Sequence, residues 1–187
     1  MPDLVPVYLA GPDVFLPDAE AVGRAKRAVC EAHGLDGRFP LDEAGADALH
    51  HRPAVEQARA LYASCRSAMD GCRAGLFNLT PFRGPSADVG TAFELGYLTA
   101  RGVPVFAYTS EPAPYHERVV PDGRHVEPYG LADNLMLEGA AMAHGPGVVR
   151  VPAADGEDPL VAMAAFVACV ERAARVLVGG AGAQAMP

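Results

Sequence analysis

The sequence predicts an α/β fold: a doubly wound, flavodoxin-like, five-stranded parallel sheet with helices on both faces. Three observations predict it. Short apolar runs alternate with longer helical stretches along the chain, the pattern of βαβ units. Five such runs occur, enough for a flavodoxin-like order. The polar residues of interest gather just after the first, second and third runs, where open α/β sheets bind ligands. With 187 residues, half of them apolar, the chain is long enough for one domain with a proper core.

The elements follow in order. Residues 6–11 (PVYLAG) read as a buried first strand ending in a turn. Gly11, Pro12 and Asp13 either let the backbone turn tightly beside a ligand or make an ordinary βα turn. No GxGxxG or P-loop lysine is present there, so a dinucleotide site is unsupported. Residues 18–34 form an amphipathic helix that Gly34 stops. A short extended piece, 37–41, carries Asp42 and Glu43 at its far end, and a second helix spans 53–72. Residues 75–80 are the third strand, followed by a loop over 81–87. A helix then stops at Gly102, and residues 103–108 make the fourth strand. The stretch 110–130 is rich in Pro, Gly and charge and is expected to be a long loop. A helix over 131–144, a short strand over 148–151 and a helix over 158–178 complete a single domain of residues 1–178. The tail 179–187 is expected to be disordered.

The helix before Gly102 is the most informative. Val89, Ala92, Phe93, Gly96, Tyr97 and Ala100 recur at helical spacing and predict its buried stripe. Glu94 lies about 100° round from Phe93, on the border of that stripe. Desolvating an ionised carboxylate costs several kcal/mol unless it is paired or used, so Glu94 either reaches solvent or an arginine, or does chemistry. Asp88, six residues earlier, caps the helix. From a cap position it also reaches the same cleft as Glu94. Two carboxylates in different surroundings are what glycosidic bond cleavage needs: one attacks the anomeric carbon and the other handles a proton. Tyr8, near the end of the first strand, either packs in the core or orients a carboxylate through its hydroxyl. Asp133-Asn134 caps the following helix, and Arg83 binds an anion or braces its loop.

Composition narrows the partners. A net charge of −8 argues against a nucleic-acid groove or an anionic membrane surface, while small neutral ligands fit. No apolar run approaches the roughly 20 residues of a membrane span. Met1-Pro2-Asp3-Leu4 lacks the basic-then-apolar pattern of a secretory signal, so a cytoplasmic location is expected. Cys30, Cys65, Cys72 and Cys169 lack metal-type spacing and read as reduced core thiols. The six histidines carry no partner motif. Neither metal nor cofactor is expected.

Four stretches together resemble the nucleoside 2-deoxyribosyltransferase family: 7–15 (VYLAGPDVF), 79–84 (LTPFRG), 88–97 (DVGTAFELGY) and 134–137 (NLML). The similarity spans roughly residues 5–151. It implies a doubly wound α/β fold and transfer of 2-deoxyribose between purine or pyrimidine bases, with 2′-deoxynucleosides and free bases as partners. Glu94 matches the family nucleophile, Tyr8 the tyrosine that orients it, and Asp88 the acid that moves a proton to or from the base. Asn134 matches a residue lent to the sugar site by a neighbouring subunit, which implies a homo-oligomer, at least a dimer and often a hexamer. Asp42 and Glu43 occupy the region that contacts the nucleobase. Gly11, Pro12, Asp13, Phe15, Gly90 and Met136 lie in the matched stretches and complete the substrate-binding candidates. Arg73 and Asn78 depart from the family, standing where many members carry aspartates, and Cys65 falls near a position usually Asp or Asn. Two other readings compete: an N-glycoside hydrolase of 2′-deoxynucleosides or their 5′-monophosphates, and a non-catalytic nucleotide-sensing module on a similar sheet.

Overall fold

The computed structural model describes residues 3–40 and 51–179. Asp42, Glu43 and the tail from residue 180 onward lie outside them. The strands are β1 (Val5–Ala10), β2 (Leu35–Arg38), β3 (Ala74–Asn78), β4 (Val105–Thr109) and β5 (Val149–Arg150). They form one sheet in the order β2-β1-β3-β4-β5, with every neighbouring pair parallel. This is the expected doubly wound topology. The chain reverses its direction of winding at β1, so the loops after β1 and β3 flank the switch point.

The helices are α1 (Ala19–Ala32), α2 (Ala54–Asp70), α3 (Val89–Ala100), α4 (Tyr115–Arg118), α5 (Leu135–Met142) and α6 (Met163–Leu177), with a 3₁₀ turn at Pro12–Phe15. Strand alternation divides the core between the two faces of the sheet. Val7 and Leu9 point to the layer of α1 and α6, among Cys30, Leu76, Phe106 and Phe166. Tyr8 and Ala10 point to the opposite layer, among Met69, Phe77, Leu95, Leu98 and Val105. Tyr8 and α3 therefore share one side of the sheet.

Several boundaries differ from expectation. β2 lies at Leu35–Arg38 and not at 37–41, because Gly34 (φ 80°) feeds the chain directly into pairing with β1. α5 starts at Leu135, where the Asn134 side chain accepts from the Met136 amide at 3.0 Å. α6 begins at Met163, after a turn at 158–162 that propensity alone reads as helix. The 110–130 stretch contains the one-turn helix α4.

The buried stripe of α3 is also rotated from the expected one. Thr91, Leu95 and Leu98 face the sheet, while Val89 is 85 % exposed and Phe93 52 % exposed. Apolar residues cover most of this helix, so periodicity could not tell the face against the sheet from the face beside α2. Gly75 lets α3 approach: a Cβ there would lie 2.8 Å from Leu98 and 2.4 Å from the Phe77 ring. Leu98→Ala should thus cost about 2–5 kcal/mol of stability, as for buried Leu→Ala changes generally. Phe93→Ala should cost about 1 kcal/mol or less, the reverse of the order the sequence stripe implies. Urea denaturation of the two variants checks this.

Candidate active site

Two adjacent elements build the centre. Tyr8 is wholly buried in β1, and its hydroxyl donates to Glu94 Oε1 at 2.7 Å. Cys65 of α2 lines the same cavity as Glu94. Burial, then the charge of Glu94, push the Tyr8 hydroxyl far above the usual phenol range, so it stays protonated as a donor. Burial raises Glu94 to about 7; the Tyr8 hydrogen bond pulls it down and the charge of Asp88 pushes it up. At neutral pH a large share of Glu94 is ionised but poorly solvated, the condition of a reactive carboxylate.

Asp88 caps α3. Its Oδ2 accepts from the Thr91 amide at 3.0 Å and from Thr91 Oγ1 at 3.2 Å. Gly90, one turn below Glu94, is where a Cβ would lie 3.0 Å from that same oxygen. Glu94 opens into a cavity of about 260 Å³ lined also by Tyr62, Cys65, Arg66, Met69, Gly90 and Phe93. The walls are largely apolar, the character of small-ligand sites.

The loop after β1 is fixed from below. Gly11 must be glycine, since a Cβ would come within 2.6 Å of the Asn78 Cβ. Asp13 accepts from Asn78 Nδ2 at 2.7 Å and pairs with Lys26, which also donates to the Tyr108 hydroxyl at 2.8 Å. Asp13 and Lys26 are both buried. Burial lowers the Lys26 pKa, and Asp13 opposes that shift. Both Asp13 oxygens are engaged inside the fold, so its carboxylate holds the loop and does not face the cavity. Pro12 is buried in the same turn. Phe15 is half exposed and stacks on Phe82 with ring centroids 5.3 Å apart, and Arg83 (φ 56°) lies over both rings. Arg83 thus braces the rims of the β1 and β3 loops by stacking.

The loop after β3 is held by a second buried carboxylate. Asp133 accepts from the Ala87 amide at 2.8 Å, from the Ser86 hydroxyl and from the Asn134 amide at 2.7 Å. Arg118 of α4 donates to the carbonyls of Pro85 and Ala132 at 2.8 Å each. The start of α5 and the approach to Asp88 are fixed together.

The structure thus brings Tyr8, Asp88, Gly90 and Glu94 to one place. Asn134 and Met136 are exposed at the start of α5 and do not line the Glu94 cavity; Asn134 borders a separate recess with Tyr115 and Tyr129. Cys65 is half-buried on the cavity wall, unlike the buried Cys30, Cys72 and Cys169. Sequence reasoning missed Tyr62, Arg66 and Met69. Together with Cys65 they recur at i, i+3, i+4 and i+7 on α2, a helical face that the strand-end rule does not select.

Comparison with known proteins identifies the family. The nucleoside 2-deoxyribosyltransferase family model matches residues 7–136, from β1 through Tyr8, Asp88 and Glu94 to Met136. The chain belongs to this family. A 2-desoxiribosyltransferase from Leishmania mexicana is 30 % identical and superposes with a TM-score of 0.62, covering 89 % of this chain and 97 % of that one. A conserved protein from Enterococcus faecalis, 17 % identical, shares the fold with a TM-score of 0.55 over 91 % of this chain and 99 % of that one. An uncharacterized protein of Schizosaccharomyces pombe is 38 % identical over 121 residues, 63 % of this chain and 56 % of the yeast protein. The matched region thus spans little more than half of that relative.

The carboxylate of this family member has a consequence for stability. The folded Glu94 pKa, about 7, lies above the ordinary value of 4.5. The folded state therefore binds more protons than the unfolded one between these pH values, and stability falls as pH rises through that window. Glu94→Gln should stabilise the protein at pH 8 by about 1–3 kcal/mol and change little at pH 4, where both states are protonated. Thermal melts of the two proteins at both pH values check this.

Proposed function

We propose that the protein transfers 2-deoxyribose between nucleobases by double displacement, with Glu94 as nucleophile. The observation that carries this reading is the Tyr8–Glu94 hydrogen bond at 2.7 Å, which fixes one oxygen of a poorly solvated carboxylate at the wall of a cavity. The other oxygen, Oε2, attacks C1′ of a 2′-deoxynucleoside. The C1′–N bond breaks, its electron pair leaves with the base, and Asp88 supplies a proton directly or through water. A deoxyribosyl ester of Glu94 remains. A nitrogen of a second base then attacks C1′ while its proton passes to Asp88, directly or through water; the ester bond breaks, and Glu94 regains its charge. Two inversions give net retention.

Tyr8 supports both halves of the cycle. It holds the carboxylate in one rotamer and, as a hydrogen-bond donor, helps Glu94 leave again as a carboxylate. The apolar cavity limits the water that would divert the ester to hydrolysis. The cytoplasmic deoxynucleoside pool is the substrate source this chemistry suits, and no cofactor is needed for it.

The site is completed by a second copy of the chain. Asn134 and Met136 lie exposed outside their own Glu94 cavity, and Val89 and Phe93 add exposed apolar surface on α3. In the proposed homo-oligomer, Asn134 of one subunit reaches the sugar site of the next. The β1 loop residues Gly11, Pro12 and Phe15 border the base, with Asp13 holding that loop.

The test is an exchange assay with 2′-deoxyinosine and free adenine. Wild-type protein should form 2′-deoxyadenosine, and Glu94→Ala should lose at least about 10³-fold of that rate, as other nucleophile deletions do. Release of hypoxanthine without exchanged nucleoside favours the hydrolase, and full activity in Glu94→Ala removes Glu94 from the mechanism. Because Glu94 must be ionised to attack, kcat/KM should rise with pH through about 7. Tyr8→Phe removes the interaction that lowers the Glu94 pKa, so its rising limb should move to higher pH.

A further inference from the structure

We infer that Arg66 makes this a site selective for 6-oxopurines, hypoxanthine and guanine, over adenine; the inference rests on the deoxyribosyl-transfer reading. Arg66 lies on the wall of the cavity that Glu94 enters, one turn of α2 from Tyr62 and Met69. Its guanidinium is exposed and sits 5.6 Å from the Tyr97 ring centroid and 5.9 Å from that of Tyr62. A second guanidinium, Arg101, lies over the same Tyr97 ring at 5.4 Å, but it is neutralised by Asp70. Arg66 has no carboxylate partner among the described residues.

A guanidinium carries five N–H donors and accepts nothing. Contact with the two aromatic rings leaves these donors for a ligand. That ligand shares the cavity with Glu94 and lies near Asp88, so a doubly charged phosphate would meet two carboxylates with a single arginine in compensation. A neutral base with two neighbouring acceptors meets the same donors without that repulsion. Hypoxanthine and guanine present O6 and N7 side by side, the pair that an arginine fork engages in two parallel hydrogen bonds. Adenine keeps N7 but places an amino donor at position 6, facing another donor. Thymine offers a lone carbonyl on the corresponding edge. Phe93 and Tyr62, with ring centroids 6.2 Å apart, supply aromatic surface on the same wall. The guanidinium also acts in the first displacement. As the C1′–N9 bond breaks, its electron pair spreads over the purine onto O6, where a fixed positive group stabilises it before protonation.

The test compares 2′-deoxyinosine with 2′-deoxyadenosine in two ways. In steady-state assays of the full chain, the wild-type ratio of kcat/KM for the two donors should be about tenfold or more in favour of deoxyinosine, the scale of one bidentate contact. Arg66→Gln should bring the ratio close to one, chiefly by loss with deoxyinosine. Arg66→Lys should fail to restore it, since an ammonium is a point donor and not a fork. A ratio within one variant is unaffected by partial loss of folded protein. In calorimetry, Glu94→Gln, which holds donors without turnover, should bind deoxyinosine more tightly than deoxyadenosine, and adding Arg66→Gln should erase the difference. Equal donor preference in wild type, or a preference that survives Arg66→Gln, overturns the inference. Tight binding of both nucleosides to Glu94→Gln without discrimination sinks it while leaving deoxyribosyl transfer intact. Absence of base exchange by the wild-type protein with either donor overturns both.

Discussion

The hydrogen bond from the Tyr8 hydroxyl to Glu94 Oε1 couples a strand to the helix that covers it, and the site depends on that coupling. Tyr8 points to the correct face only because β1 alternates Val7 and Leu9 to one layer and Tyr8 and Ala10 to the other. A register slip of one residue would turn the phenol into the layer of α1 and α6. α3 reaches it because Gly75 leaves room for Leu98, and because Asp88 fixes where the helix begins. The glutamate is therefore placed by three constraints outside itself: strand phase, helix approach and helix start.

The two layers of the sheet treat charge in opposite ways. On the α1 and α6 side, Lys26 and Asp13 form a closed ion pair satisfied by Tyr108 and Asn78. Such a pair adds little net stability, but removing either partner would strand a buried charge. It pins the loop after β1. On the α3 side, no cation pairs with Glu94 among the described residues; a neutral phenol hydrogen-bonds it, and its pKa stands near 7. One carboxylate is tied into the structure, and the other stands poorly solvated at the cavity wall. Asp133, with the Ser86 and Ala87 donors, repeats the structural use at the β3 loop.

The sheet was legible because its signals are periodic and local. Apolar runs of β1, β3 and β4 and the glycine stops of α1 and α3 locate themselves within a few residues. The triad of Tyr8, Asp88 and Glu94 was legible because each lies on or beside a strand end or helix start. The rotation of α3 was not: Leu95, Phe93 and Tyr97 are all apolar, and which of them meets the sheet is decided by partners distant in sequence, Gly75 and Phe77. The inward turn of Asp13 was hidden for the same reason, since Lys26 and Tyr108 lie on other elements. The α2 wall escaped because its residues sit at helical spacing on an element whose carboxyl-end loop points away from the switch point. Tyr62, Arg66 and Met69 become a site only when α2 docks beside α3.

Intact-mass and peptide mass spectrometry of protein quenched during incubation with a 2′-deoxynucleoside tests the central claim most directly. A deoxyribosyl adduct should appear on the intact chain, map to the peptide containing Glu94, and disappear on addition of a free acceptor base. An adduct on a different residue, or efficient base exchange with the Glu94 peptide unmodified at every quench time, would contradict the account.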